Sequence, residues 1–312
     1  MTPARLHPQA TPARSATLAE VIDAGSRTTI QDLGRPGHAH LGVPPSGAAD
    51  RASLTLANRL VGNAEGAPAL ETTLRGPTLQ FLRAATIALT GARVDATLDA
   101  RPVAMDAPLA VRPGQVLVVG TATLGLRTYV AVRGGLAAPR TLGSASTDEL
   151  TGLGPAPLAT GDGLSADRLE LAAPAVDVAP VSAIAPSPTL RVTVGPRDDW
   201  FAPDAVTALL TEPFAVTASV NRIGVRLRGP VLPHREQAEL RSEGVVTGSI
   251  QVPPSGGPIV LLADHPTTGG YPVIAVVVGD DLSLAAQLRP GDHVRFKQLA
   301  GPAAAPRTDR LP

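Results

Sequence analysis

From Ala69 onward the chain is cut into short apolar runs, and that segmentation limits the folds open to it more than any other feature. The runs are Leu79 to Leu82, Thr86 to Leu89, Val94 to Leu98, Val116 to Val119 and Tyr129 to Val132. Turn signals close them off, at Gly91-Ala92-Arg93, Arg112-Pro113-Gly114 and Arg133-Gly134-Gly135. Short β-branched runs at roughly 8 to 12 residue spacing read as strands of a β-barrel or sandwich. The same grain returns at Leu190 to Val194, Val225 to Leu227, Gly248 to Val252, Pro258 to Ala263, Val273 to Val278 and Asp292 to Gln298. Between the two series, Ala172 to Pro188 is Pro/Ala-rich and almost uncharged, the composition of a linker. The expectation is a mainly β protein with a first β-rich half at 18–171, a linker at 172–188 and a second half at 189–299. Flexible tails are expected at 1–17 and 300–312.

Helices are few. Asp50 opens the best one: its side chain can cap the backbone N–H of Ala52 or Ser53, Leu54, Ala57, Leu60 and Val61 share a face, and Gly62 ends it. A second, short helix is expected near Asp204 to Leu210, with Pro203 at its mouth. Leu18 to Asp32 alternates as a strand pair turning at Asp23-Ala24-Gly25-Ser26.

Two loops hold the polar chemistry. Asp264-His265-Pro266-Thr267-Thr268-Gly269-Gly270-Tyr271-Pro272 lies between two apolar strands and brings together a carboxylate, an imidazole, hydroxyls and glycines that let a backbone approach a ligand. Without further support it would read as a decorated hairpin turn. The other loop is Val43-Pro44-Pro45-Ser46-Gly47 with Asp50 following, and its five residues recur as Val252-Pro253-Pro254-Ser255-Gly256. Leu-Arg-Gly-Pro (Leu74 to Pro77, Leu227 to Pro230) and Arg-Pro-Gly (Arg112 to Gly114, Arg289 to Gly291) also repeat, at different offsets and in swapped order. The repetition therefore points to two related β-rich halves rather than a tandem duplication.

Composition excludes several functions. Acidic and basic residues balance at 27 each, so no global field draws the chain to nucleic acid or to an acidic membrane. Aromatics at 2% leave little for stacking bases. The absence of cysteine removes disulfides, thiolate metal sites and cysteine nucleophiles. No apolar run approaches the roughly 18 residues of a membrane span, and the start lacks a signal-peptide centre, so a cytoplasmic location is expected. Phosphate-loop, dinucleotide and His-Glu-x-x-His signatures are missing; His38 and His40 lack a third ligand, and no metal is expected. Neither Ser46 nor Ser255 sits in a Gly-x-Ser-x-Gly elbow, which disfavours a serine hydrolase. What remains is a cleft for a small molecule. In it Arg35 would grip a carboxylate or phosphate, Asp50 and Asp264 would supply acid/base chemistry, and glycine N–H groups would hold an oxyanion. Arg35 and Asp50 could instead form a loop-pinning ion pair.

The chain resembles the allophanate hydrolase subunit 2 type, or biotin-dependent carboxyltransferase, domain family from about Val21 to about Phe296. The resemblance rests on Thr29 to Arg35, Gly42 to Gly47 with Asp50, Asn58 to Asn63, Leu70-Glu71, Tyr129 to Gly135, Leu142-Gly143-Ser144 with Thr147-Asp148, Asn221-Arg222-Ile223-Gly224 and Thr268 to Pro272. It implies cyclophilin-like β-barrels and partners of two kinds, an allophanate hydrolase subunit 1 type protein and a lamB-type third subunit. The implied activity is that of a hydrolase complex opening 5-oxoproline to glutamate with ATP as co-substrate, this chain being inactive alone. Alternatives within the family are transfer of a carboxyl group from carboxybiotin to urea, and a regulatory protein that sequesters its subunit 1 partner. By the same resemblance Asp50, Asp264 and His265 are the expected acid/base or orienting groups. Gln31, Arg35, Ser46, Gly47, Ser255, Gly256, Thr267, Thr268, Gly269 and Gly270 are the expected substrate-binding residues. Pro266 stands where many members carry glutamine; it removes an amide and stiffens the loop.

Overall fold

The computed structural model describes residues 17–166, 177–181, 183–235 and 240–299. The expected tails, apart from Thr17, and the first part of the expected linker lie outside these residues.

The first half contains β1 (Ala19–Asp23), β2 (Thr28–Gln31), α1 (Arg51–Leu60), β3 (Ala69–Thr73), β4 (Thr78–Phe81), β5 (Ala85–Val94), β6 (Thr97–Leu98), β7 (Arg101–Pro102), β8 (Pro108–Val111), β9 (Val116–Val118), β10 (Ala122–Val132) and β11 (Gly163–Leu164). They form two sheets, ordered β11-β1-β4-β9-β6-β7 and β2-β3-β10-β5-β8. The sheets face each other across one aliphatic core in which Val21, Leu79 and Leu117 meet Leu70, Leu89 and Val130. The outer face of the second sheet is covered as well. Leu54, Ala57 and Leu60 of α1 pack on Ala69, Ala88, Tyr129 and Ala131, which is why the last eight residues of β10 are all buried instead of alternating. A fully buried leucine such as Leu54 contributes about 1.5–3 kcal/mol. The Asp50 carboxylate accepts from Ser53 N at 2.9 Å and caps α1 as its sequence position predicts.

The second half contains β12 (Thr189–Val194), α2 (Pro203–Thr211), β13 (Phe214–Val220), β14 (Gly224–Arg228), β15 (Glu243–Gly244), β16 (Ser249–Gln251), β17 (Ile259–Leu261), β18 (Thr268–Gly269), β19 (Val273–Val277), α3 (Leu282–Ala286) and β20 (His293–Gln298). Seven of its strands close a barrel, β12-β19-β16-β17-β14-β13-β20. The parallel pairing of β12 with β20 makes the closure. Its core is aliphatic apart from three phenylalanines, of which Phe214 and Phe296 lie 5.9 Å apart, and α2 adds Ala205 and Leu209. The mainly β expectation with a few short helices holds. Closure is complete in the second half, whereas the first half consists of two facing sheets.

Two local expectations are corrected, and the hairpin alternative for the Asp264 loop is excluded. β1 and β2 exist but do not pair: β1 joins β4 and β11, and β2 joins β3 in the other sheet. The 23–26 turn is a corner between sheets, held by Ser26 N on Arg75 O at 2.8 Å, with Gly25 at φ +75° lying against Arg75 and Gly76 carbonyls where a Cβ could not fit. Gly91 does not end a strand. At φ +88° it sits inside β5, where the register with β10 shifts, so it marks a bulge. The strands flanking the Asp264 loop, β17 and β19, are not neighbours, because β16 lies between them and pairs with both. The loop therefore crosses over a strand instead of turning a hairpin.

Candidate active site at the seam between the halves

The loop Pro44-Pro45-Ser46-Gly47 reaches from the first half onto the Asp264 loop of the second. Ser46 has a left-handed backbone, φ +51°, uncommon for a residue with a Cβ. Two bonds across the seam hold it there: Ser46 N donates to Ala263 O at 3.1 Å, and Ser46 Oγ donates to Asp264 Oδ1 at 2.7 Å. Gly47 follows at φ +86° and is packed against the backbone of Leu33 and Gly34 so closely that a Cβ would lie 2.7 Å from it.

Under this contact lies a buried charge network. Arg222, in the turn between β13 and β14, grips Asp264 with two bonds, Nε to Oδ2 at 2.8 Å and Nη2 to Oδ1 at 2.9 Å. The same guanidinium crosses the seam to Glu71 Oε1 at 2.5 Å and to Gly47 O at 2.6 Å. Asp264 also accepts from Glu149 N at 3.0 Å, and Glu71 accepts from Ala49 N at 2.9 Å and Tyr129 Oη at 2.7 Å. All three charged side chains are at most 3% exposed. Burial pushes the Glu71 carboxyl up, but Arg222, Arg127 and the two hydrogen bonds outweigh it and hold Glu71 below its ordinary value. Burial likewise works against a charged Arg222, and the two carboxylates more than offset it, so its pKa is raised. Burial, together with Glu71 and Asp50, drives the Tyr129 phenol well above its ordinary value and keeps it a donor.

Beside the network a cavity of about 250 Å³ opens between the halves. Pro36, His38, Val43 and Pro45 form one wall; Val245, Thr247, His265 and Thr267 form the other. His265 Nδ1 lies 2.7 Å from Pro266 O and Nε2 3.1 Å from Thr247 Oγ1. A carbonyl only accepts, so Nδ1 carries the proton and Nε2 accepts from the threonine hydroxyl. Burial lowers the His265 pKa against the opposing pull of Pro266 O and Asp264. The ring is thus neutral near pH 7, an acceptor on the cavity wall. This geometry suits a small molecule, with an imidazole and hydroxyls to move or hold a proton.

Residues 41–298 match the family model described as carboxyltransferase domain, subdomain A and B. The chain belongs to that family. It is 35% identical to the C subunit of 5-oxoprolinase from Haemophilus influenzae over 92% of this chain and 93% of that protein. It is 37% identical to the Escherichia coli protein of the same name over 90% and 91%. Among solved structures, TTHA0988 superposes with a TM-score of 0.84 at 38% identity, covering 92% of this chain and 57% of that one. The Kluyveromyces lactis urea amidolyase superposes with a TM-score of 0.85 at 32% identity, covering 92% of this chain and 19% of that one.

Within this carboxyltransferase domain the expected site residues separate into groups. His265 and Thr267 line the cavity, and Ser46, Gly47 and Asp264 form the seam beside it. Thr268 and Gly269 make the short β18 ladder with β15, Gly269 packing against the Gln251 amide, and Gly270 is exposed beside them. Asp50 is elsewhere. It lines a second cavity of about 260 Å³ with Leu56, Ile184 and Leu284, and Ser53 and Gln287 engage its carboxylate. Arg35 is 1% exposed; Nε donates to Thr141 O at 3.3 Å, Nη2 donates to Ser146 O, and Nη1 lies 3.9 Å from the buried Asp148 carboxylate, so it pins the 141–148 loop from inside. Gln31 is buried too, donating to Thr29 Oγ1 and Thr147 O. Ser255 is exposed and Gly256 packs on Val231 and Leu232, so the second Pro-Pro-Ser-Gly copy does not join the seam. Sequence reasoning missed Arg222, Glu71 and Thr247. The first two stand in quoted motifs, Asn221 to Gly224 and Leu70-Glu71, but nothing local ties them together; Thr247 carries no sequence signal. Among the described residues no group of three His, Asp or Glu could hold a metal ion, and no helix is long and apolar enough to cross a membrane.

Proposed function

We propose that the protein is the C subunit of a 5-oxoprolinase, part of a complex that opens the 5-oxoproline lactam to glutamate with ATP as co-substrate. The observation that carries this reading is the end-to-end match to the Haemophilus influenzae 5-oxoprolinase protein, over 92% of this chain and 93% of the relative. The seam cavity, about 250 Å³, suits one small ring. In the reaction a water oxygen adds to the lactam carbonyl, the C–N bond breaks, and the ring nitrogen leaves with a proton. His265, whose Nε2 accepts from Thr247 Oγ1, would handle that proton through the threonine hydroxyl, and Thr267 would orient the carbonyl or water. Asp264 and Ser46 act from beneath as orienting groups. The partners would be an allophanate hydrolase subunit 1 type protein and a lamB-type third subunit, and a cytoplasmic location fits the use of ATP.

Carboxyl transfer from carboxybiotin is the second reading, favoured by 34% identity to the Lachancea kluyveri urea amidolyase over 90% of this chain. That stretch is 17% of the amidolyase, so such an activity would need a carboxylase and a biotin carrier besides this domain. The test is to mix the purified chain with both partners and measure ADP and glutamate released from 5-oxoproline, omitting each protein in turn. Product that requires this chain supports the proposal. A stable complex releasing neither product would overturn it and turn attention to carboxybiotin transfer or a regulatory role.

A further inference from the structure

We infer that Arg222 is a positioning residue: by bridging Glu71 and the Gly47 carbonyl of the first half to Asp264 of the second, it sets the spacing of the two walls of the seam cavity. Four segments converge on one guanidinium and its carboxylate. Gly47 O and Glu71 come from the first half, Asp264 from the second, and Ser46 Oγ and Glu149 N close onto Asp264 from the first. The cavity walls are the direct continuations of these segments. Val43 and Pro45 precede Ser46 on one side, and His265 and Thr267 follow Asp264 on the other. A shift at Arg222 is therefore a shift of one wall against the other.

Two further observations separate this from ordinary core stabilisation. A buried ion pair is a weak stabiliser beside an apolar core of equal volume, because both charges lose their water. The barrel and the facing sheets already have such cores, and the charges lie between them. The left-handed Ser46 backbone, φ +51°, is also held through Asp264, as strain is held where the surroundings over-determine a conformation. The fork matters as much as the charge. Arg222 reaches three acceptors with fixed planar geometry, which a lysine ammonium cannot reproduce.

The experiment pairs Arg222→Lys, which keeps the charge, with Glu71→Gln, which removes the carboxylate that Arg222, Ala49 N and Tyr129 Oη share. In the isolated chain, hydrogen exchange should quicken together in peptides covering 43–50 and 262–268 in both variants, with the barrel core unchanged. In the assembled enzyme kcat should fall, on the order of 100-fold for Arg222→Lys and tenfold for Glu71→Gln, while KM moves far less, as expected when reacting groups are misplaced. The kinetic arm rests on the 5-oxoprolinase reading; if the unmodified complex turns over no 5-oxoproline, that reading fails alone and exchange decides the positioning role. Unchanged exchange in the two loops would sink the inference. So would full kcat in a variant whose only defect is a lower Tm, the mark of a purely structural residue.

Discussion

Val43 to Gly47 and Val252 to Gly256 are the same five residues in two settings, and they behave differently in each. In the first, Ser46 is 2% exposed, left-handed, and bonded across the seam to Asp264. In the second, Ser255 is exposed and is not among the left-handed residues, and Gly256 turns the chain onto Leu232, whose N–H donates to Gly256 O at 3.1 Å. Both glycines keep a positive φ, +86° and +78°. The turn is therefore written locally by proline and glycine, while the serine conformation comes from what lies opposite it. A motif met twice need not mark two sites. Only the copy that faces the Arg222 and Asp264 charges is drawn into one.

If those charges make the difference, removing them should make the first copy resemble the second. Arg222→Met is expected to cost about 3–5 kcal/mol, because it leaves Asp264 buried without its cation and Glu71 with Arg127 alone. Urea unfolding monitored by circular dichroism would measure this, and a cost under about 1 kcal/mol would mean that the network is worth no more than a surface pair. Gly47→Ala comes next, at about 3 kcal/mol. Left-handed strain adds to a clash with the rigid backbone of Leu33 and Gly34. Gly256→Ala meets the Val231 side chain, itself 67% exposed, and the Leu232 nitrogen at 3.1 Å, a milder contact than at Gly47, so the cost should be smaller, about 1–2 kcal/mol. Equal losses would break the comparison at the backbone level.

The serines give a smaller and cleaner contrast. Ser46→Ala removes a donor from a buried carboxylate and should cost about 1.5–3 kcal/mol. Ser255→Ala should change stability by less than about 0.5 kcal/mol, as exposed substitutions do. Midpoints from parallel urea titrations would separate them, and matching midpoints would mean that the Ser46 bond contributes nothing.

Much of this was legible in the sequence because it rests on local rules. Short apolar runs between turn signals placed most strands, Asp50 stood three residues before the N–H it caps, and Pro203 marked the start of α2. The Thr-Thr-Gly-Gly-Tyr-Pro loop was singled out by composition, and its leading residues do border the seam. Pairing was less legible. Nothing in residues 23–26 says that β1 and β2 part into different sheets, since the decision lies in carbonyls near Arg75. Charge roles were least legible. Arg35 and Arg222 look alike in a string of letters, yet one pins a loop through carbonyls and the other joins two halves through Glu71, 151 residues away. Burial and partner, which only the fold supplies, separate them.

Acid should sharpen the same contrast through two separate windows. His265 titrates below its ordinary 6.5 in the folded chain because burial disfavours its charge. As pH falls below about 6.5 the unfolded chain takes up that proton first, so stability is lost from there down to the folded pKa. Glu71 is held below its ordinary 4.5, against burial, by Arg222 and Arg127; the stability it contributes is present above 4.5 and lost as pH falls through its folded pKa. Both losses fall on the seam, and the Ser255 turn has no part in either. Hydrogen exchange followed from pH 7 downward, corrected for intrinsic rates, should therefore loosen 43–50 and 262–268 before 252–256. His265→Gln should flatten the upper window and leave the lower one in place. Should 252–256 loosen first, or the upper window survive His265→Gln, the acid response would belong to some other group and the seam would lose its claim to be the pH-sensitive part of the molecule.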